Sequence, residues 1–288
     1  MRSKVFISRL LMTLLVMLPL CGQAQNRSYR AAIKDYITAT GLYTAEKMQS
    51  HLLSQNANLF ENEYGVNLSR LTSQYIKGQY IEDMVDLYEI VFKDNVSEVD
   101  LRKVISLLST PAGISMTKHT LQWSEQFEQD IVGEVQEPLM QAMAGLDITT
   151  PLLDDDVSLE YGLSFVEFMQ NTNQNEQFMT VYRETLKANG TTVPDEFDEW
   201  LEDNLIILAL NSAKDYITMS DLEYSAELFT YESYQHVTSA ASFFTDNLML
   251  VGSFIIARYA DWMTDNGASL SSTGVMMLEY MNNLTNQD

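Results

Sequence analysis

The stretch 93–116 reads KDNVSEVDLRKVISLLSTPAGISM, and 121 residues further on the stretch 214–237 reads KDYITMSDLEYSAELFTYESYQHV. Placing residues 41–119 on residues 162–240 without a gap gives 13 identities in 79 positions. Composition alone would give about five. Because the identities cluster where helices are expected to begin, we interpret the two stretches as the same part of a duplicated helical unit.

Both stretches carry the pattern of a helix capping box. Ser97 and Asp100 in the first, and Thr218 and Asp221 in the second, place a hydroxyl three residues before a carboxylate. In such a box the hydroxyl accepts from the amide three residues on, and the carboxylate accepts from the amide of the capping residue. The alternative is a carboxylate exposed for catalysis or metal binding. Capping is the favoured interpretation at this spacing.

The first stretch ends in a corner built from Thr110, Pro111 and Gly113. Thr110 suits the N-cap of a following helix, and Pro111 suits its first turn, where a missing N–H costs nothing. Gly113 has no side chain, so we expect two helices to approach closely there. The second copy lacks the proline and the glycine but keeps Thr230 as a cap. A catalytic loop would be inactivated by such losses, so the comparison favours a structural role.

A Thr-Pro-x-Gly corner after a short helix with a Ser-x-x-Asp-Leu start resembles the bacterial exported family called domain of unknown function family 2059. The resemblance covers residues 80–130 and, in a degenerate form, residues 205–250. Leu107-Leu108 stands where that family has an aromatic pair. The resemblance implies a small helical exported domain without an established activity, so it supplies no catalytic residues.

The N-terminal residues 1–24 have the layout of a secretory signal peptide. Arg2, Lys4 and Arg9 precede the apolar run Leu10–Leu20, and small residues suit cleavage after Ala24. The run is short for a permanent membrane helix, which needs about 20 apolar residues. We therefore expect an exported protein, periplasmic or extracellular. An uncleaved anchor is the alternative.

Cys21 raises the further alternative of a lipoprotein signal, which the large Leu20 before it makes less favoured. Cys21 is the only cysteine of the chain. If cleavage follows Ala24, the exported chain has no thiol, and this excludes disulfides, thiolate metal sites and cysteine nucleophiles.

The rest of the chain predicts an all-α fold of two related helical-bundle units in tandem. Apolar residues recur every three or four positions, and Pro and Gly are scarce. The predicted units are 27–146 and 157–266, joined by a connector at 144–158 and followed by a C-terminal tail, 267–288, with a short helix.

The charge of the chain is strongly negative. The full sequence has a net charge of −23, with 40 acidic and 17 basic residues, and loss of three cations with the signal would leave −26. Nucleic acid and anionic lipid surfaces are poor partners for such a protein, because both attract cationic faces. The apolar run Leu248–Ala257 is too short to span a membrane, so after signal cleavage we expect no membrane-spanning segment.

Residues that carry chemistry are sparse. His51, His119 and His236 lack the spacing of a helical metal motif, and no Gly-x-Ser-x-Gly elbow marks a nucleophile. The acidic clusters Asp154–Asp156 and 195–203 lack the spacing of a calcium loop and are interpreted as solvated surface. We therefore predict no catalytic residue, no metal and no cofactor.

The sequence favours a non-enzymatic exported protein that binds an unknown protein or envelope component. One alternative is a carrier that encloses an apolar small molecule or lipid within the helical bundle, suggested by the many Met and Tyr residues. Another is a hydrolase whose Ser–His–Asp triad forms through space.

Overall fold

A computed structural model describes residues 27–41, 53, 56–61, 66–172, 175, 178–179, 183 and 193–285. Over these residues the chain is all-α, as the sequence predicts, and its β structure is one isolated bridge between Phe60 and Leu270. No helix of this part of the chain is both long enough and apolar enough to cross a membrane. The signal sequence, Cys21 and His51 lie outside the described residues.

The helices follow one another with short connections. In chain order they are α1 (27–39), α2 (Leu68–Gly78), α3 (Tyr80–Phe92), α4 (Glu98–Leu108), α5 (Pro111–Met143), α6 (Leu159–Asn171), α7 (Asp195–Ala213), α8 (Met219–Leu228), α9 (Glu232–Asp246), α10 (Leu248–Asp265) and α11 (Ser272–Thr285), with a 3₁₀ turn at Ala57–Leu59 before α2.

The chain divides into two compact units. The terminal unit takes Met1–Thr38, Tyr43–Arg102 and Asn247–Asp288, and the central unit takes Ala39–Leu42 and Lys103–Asp246. The boundary therefore falls at the end of α1, within α4 and between α9 and α10.

In the terminal unit α1 packs against α3. Arg30 of α1 binds the carboxylates of Asp86, at 2.8 Å, and Glu89. Beside this ion pair the ring of Tyr36 contacts those of Tyr88 and Phe92. An ion-paired edge and a buried aromatic contact thus fix the helix on its neighbour.

The other face of this unit is closed by α10 and α11. The hydroxyls of Thr72 in α2 and Tyr259 in α10 lie 2.6 Å apart, and the Tyr75 ring packs on that of Trp262. Gly274 of α11 lies so close to Leu59 that an added Cβ would be 2.2 Å from the Leu59 carbonyl oxygen. The predicted C-terminal helix is therefore an integral part of the terminal unit.

In the central unit the long helix α5 lies along α7 and α8, and α6 packs against α7 and α8. The apolar face of α5 has the helical spacing that the sequence suggests, and α6 and α7 bring aromatic rings to it. The buried residues of this core include Trp123, Phe127, Ile131 and Val135 of α5, Phe165 and Phe168 of α6, and Phe197, Leu201 and Leu205 of α7.

The two compact units do not coincide with the two sequence copies predicted at 27–146 and 157–266. The central unit takes α5 from the first copy and α6–α9 from the second, while the terminal unit takes α10 from the second. The physical reason is that the apolar face of α5 is buried in a core made by helices of the second copy. Similarity at a fixed offset reports where helices begin, and it does not report which helices pack together.

The helix boundaries do follow the offset. The helices α4 and α8 begin 121 residues apart, at Glu98 and Met219, and α5 and α9 also begin 121 residues apart, at Pro111 and Glu232. The helix α5 runs unbroken, whereas the corresponding span of the second copy is broken at Asn247. The boundaries agree with a duplication, which stays a prediction.

Candidate functional site

The corner before α5 is a tight turn that requires glycine. Thr110 is the N-cap of α5, and its hydroxyl accepts from the Gly113 amide at 3.1 Å, while Pro111 occupies the first helical position. A Cβ built on Gly113 would lie 2.5 Å from the Leu107 carbonyl oxygen and 2.7 Å from that of Leu108. Real Cβ atoms do not approach this closely, so the end of α4 presses directly on the backbone of α5.

The two capping boxes differ in completeness. At the start of α8, the Asp221 amide donates to the Thr218 hydroxyl at 3.2 Å, and the Asp221 carboxylate accepts from the Thr218 amide at 2.9 Å. At the start of α4, the Asp100 amide donates to the Ser97 hydroxyl at 3.1 Å, and the Ser97 hydroxyl donates to the Asp100 carboxylate at 2.7 Å. Thr230, the expected cap in the second copy, has a hydroxyl that donates to the Glu227 carbonyl in the last turn of α8, as the Thr110 hydroxyl does to the Leu107 carbonyl.

Asp221 also receives two side chains from α5. Its carboxylate oxygen Oδ2 lies 2.8 Å from His119 Nδ1, and its Oδ1 accepts from the Ser115 hydroxyl at 3.2 Å. Only 3 % of Asp221 is exposed. Burial alone raises the pKa of this carboxyl, but hydrogen bonds from Thr218 and His119 outweigh burial and hold the pKa below its ordinary value.

Sequence reasoning missed this cluster. Ser115 and His119 stand four residues apart on α5, which places them on one helix face and is a visible signal. Asp221 lies 102 residues beyond His119 along the chain, and the only pattern it belongs to in the sequence is the capping box. The pairing of the two helices therefore had to come from the structure.

The cluster has the residue types of a catalytic triad without its geometry. In a triad the carboxylate binds Nδ1 and the nucleophilic hydroxyl binds Nε2 on the opposite side of the imidazole. Here the Ser115 hydroxyl lies 3.5 Å from Nδ1, on the same side as the carboxylate, and donates to that carboxylate. Ser115 is therefore placed to satisfy Asp221 rather than to attack a substrate.

Two acids of each acidic cluster are paired with a basic residue. Lys214 at the end of α7 binds Asp154 at 2.7 Å and Asp156 at 2.6 Å, which raises its pKa above the ordinary value. Arg183 binds Asp198 and Glu202 in the second cluster. Among the described residues, no group of three or more His, Cys, Asp or Glu side chains is arranged to hold a metal ion.

The two corners contact each other within the central unit. The Tyr224 hydroxyl of α8 lies 2.9 Å from the Thr110 hydroxyl, and the Lys103 ammonium of α4 lies 5.5 Å from the centre of the Tyr231 ring. Positions 103 and 224, and positions 110 and 231, are each 121 residues apart. Reciprocal contacts of this kind are typical of a two-fold interface, in which i contacts j and the equivalent of j contacts the equivalent of i.

A second feature of the central unit runs from the last turn of α5 through the connection to the first turns of α6. Several large apolar side chains there are exposed to solvent, and the most exposed are Leu152 at 84 % and Leu159 at 80 %. We call this the apolar segment, and its members are Met140, Met143, Leu146, Leu152, Leu153, Leu159 and Leu163. Their neighbours Leu139, Ile148 and Val157 pack on the core instead.

The apolar segment is fastened at several points to α5 and α7. The Thr149 carbonyl accepts from Trp200 Nε1 at 3.1 Å, and the Thr149 amide donates to Gln141 at 2.9 Å. Further along, the Asn211 side chain donates to the Leu152 carbonyl at 2.8 Å and accepts from the Asp154 amide at 3.0 Å. The exposed leucines thus stand on a backbone that the protein itself holds in place.

No protein-family model, no curated protein and no solved structure matches this chain. The resemblance to domain of unknown function family 2059 rests on the Thr-Pro-x-Gly corner and the helix start before it, and it stays a prediction.

Proposed function

We propose that this chain is an exported, non-enzymatic binding protein whose apolar segment holds a protein partner of the cell envelope. The observation that carries the proposal is the exposure of seven large Leu and Met side chains within residues 140–163. Exposed apolar patches mark interaction sites, and seven such side chains within 24 residues of the chain point to one. Scattered single leucines would carry no such meaning.

The anchoring of the segment strengthens the proposal. Ordering a loop on binding costs conformational entropy, and a surface that is already fixed avoids that cost. Trp200, Asn211 and Gln141 fix the backbone around Leu152 before any partner arrives. A connector without function would need no such fastening of its exposed leucines.

The surroundings of His119 support a non-enzymatic role. Asp221 is engaged as a helix cap by Thr218 and as an acceptor for Ser115, so its main task is structural. The corner residues Thr110, Pro111 and Gly113 have structural tasks of their own. We therefore assign the binding function to the apolar segment rather than to these structural residues.

Site-specific photo-cross-linking tests the proposal. A photoreactive amino acid at position 152, introduced in the cells that make the protein, should give a discrete adduct with a partner. The adduct should disappear when Leu159 and Leu163 are changed to Ser in the same chain, because the partner would lose its apolar contacts. The same photoreactive residue at the exposed position Ile90 of the terminal unit is the matched control. Equal adducts from positions 152 and 90, or none from either, would contradict the proposal.

One observation favours the carrier as a second candidate function. Among the described residues Trp123 Nε1 is buried without a hydrogen-bond acceptor, beside the rings of Phe127, Phe165 and Phe168. An apolar ligand with one acceptor atom would satisfy this N–H. Native mass spectrometry after gentle extraction tests it, since protein that is consistently free of bound molecules would refute the carrier.

A further inference from the structure

We infer that the partner of the apolar segment is a cationic amphipathic helix, an inference that rests on the proposed function and specifies its partner. The segment supplies apolar contacts, and acidic side chains outnumber basic ones around it. A helix with leucine-like residues on one face and Lys or Arg on its flanks matches both properties.

The charge argument begins in the sequence. From Thr120 to Tyr182 the chain has 63 residues without a Lys, Arg or His, and these include 12 acids. The apolar segment lies in the middle of this run. A partner that covers the apolar segment would therefore meet many carboxylates and no basic side chain from this run.

The nearest basic side chains of the structure do not alter this balance. Lys214 is bound by both Asp154 and Asp156, so one cation is shared between two acids. Asp147, Asp155 and Glu160 are exposed and have no ion pair within the described residues. The segment is therefore an apolar surface with unneutralised negative charge at its sides.

The backbone of the segment argues for a helix rather than an added strand. Strand addition needs free backbone N–H and C=O groups along an extended edge. At Thr149, Leu152 and Asp154 these groups already bond to side chains of Gln141, Trp200 and Asn211. A partner must therefore bind the side chains of the segment, as an amphipathic helix does. Leu and Met are also side chains that adapt to helical ligands.

Other occupants fit the charge less well. An anionic membrane surface would be repelled by the acids that flank the leucines. A second copy of this chain would bring the same negative charge to the interface, since the net charge is −23. Both are outcomes of the test described next.

The test uses the full-length protein and a synthetic amphipathic peptide of about 18 residues with Leu on one face and Lys on the other. Binding is measured by isothermal titration calorimetry. The control peptides are a scrambled sequence of the same composition, which removes the apolar face, and a Leu/Glu version, which reverses the charge. Light scattering without peptide and a vesicle-flotation assay with anionic lipid test the other two occupants.

The protein variants separate the apolar contacts from general charge attraction. Changing Leu152 and Leu159 to Ser should weaken binding of the Leu/Lys peptide at least about tenfold, because each buried leucine contributes strongly to an interface. Changing the exposed Ile90 and Val99 of the terminal unit to Ser should leave binding unchanged. All variants alter exposed side chains, and circular dichroism melting checks that they fold alike.

A second pair of variants tests the charge. Changing Asp155 to Asn and Glu160 to Gln should weaken binding several-fold and reduce its dependence on salt between about 50 and about 200 mM. Unchanged affinity in both the leucine and the acid variants would overturn the inference, as would preference for the Leu/Glu peptide, dimerisation or lipid binding through Leu152 and Leu159. If photo-adducts still form at position 152 while the Leu/Lys peptide fails to bind, the binding function stands and the partner class is wrong.

Discussion

Gly113→Ala should destabilise the central unit, although alanine is ordinarily the better helix residue. The new Cβ would lie 2.5 Å from the Leu107 carbonyl oxygen and 2.7 Å from that of Leu108, both of them backbone atoms that cannot rotate away. A normal carbon–oxygen contact is about 3.3 Å or longer, so the end of α4 must move by about 0.8 Å. Overpacking of this kind costs about 1–3 kcal/mol, and the helix preference for alanine returns up to about 1 kcal/mol.

We therefore expect a net loss of about 1 kcal/mol, which lowers the melting temperature of a unit of this size by about 2–4 °C. Thermal unfolding followed by circular dichroism and tryptophan fluorescence measures it. Gly133→Ala is the matched control, because Gly133 lies in the same helix and nothing stands within 4 Å of its added Cβ. It should raise stability by up to about 1 kcal/mol. Equal melting temperatures for the two variants would contradict the close contact between the end of α4 and the backbone of Gly113.

Three further predictions concern the same corner. Asp221→Ala should lower the free energy of unfolding, measured in urea, by about 2–4 kcal/mol, because Thr218, Ser115 and His119 lose a buried acceptor. Asp100→Ala, in the half-buried capping box at the start of α4, should lower it by about 1 kcal/mol. Equal losses in the two variants would contradict the prediction that the two capping boxes differ in strength. The pKa of Asp221 is lowered in the folded protein, so its stabilisation is complete above the unfolded pKa of about 3.9 and is lost as the pH falls through the folded value. A pH series of urea melts should therefore show wild type losing its advantage over Asp221→Asn below about pH 4, and an advantage constant to lower pH would contradict this. Tyr224→Phe should lower the free energy of unfolding by about 1 kcal/mol in the same urea assay, because the Tyr224 hydroxyl donates to the Leu107 carbonyl at 2.8 Å and contacts the Thr110 hydroxyl. An unchanged free energy of unfolding would mean that this contact does not stabilise the corner before α5.

The helix starts could be predicted from the sequence because capping is local. A hydroxyl, an acid three residues later and a proline after a threonine determine where α5 and α8 begin, and no distant residue is needed. The all-α class follows in the same way from the spacing of apolar residues along each helix.

The packing of the helices could not be predicted, because it depends on residues far apart in the chain. Nothing in the sequence near Trp123 shows that its helix is buried against Phe165 and Phe197 of the second copy. The contact of His119 with Asp221 is of the same long-range kind.

The apolar segment illustrates a third limit of sequence reasoning. Residues 144–158 have the composition of a connector, and their leucines look like those of any core. The structure separates Ile148 and Val157, which pack inward, from Leu146, Leu152 and Leu153, which face solvent. Exposure of an apolar side chain depends on three-dimensional neighbours, so the candidate binding surface became visible only in the fold.

Oxidative footprinting in the producing cells tests the central claim most directly. Met140 and Met143 of the apolar segment are 62 % and 59 % exposed, and Met276 of α11 in the terminal unit is 63 % exposed, so the purified protein should oxidise at all three at similar rates. If the apolar segment holds a partner, Met140 and Met143 should oxidise more slowly in cells than in the purified protein. The oxidation rate of Met276 should be the same in cells and in the purified protein. Equal oxidation of all three methionines in cells would contradict the claim.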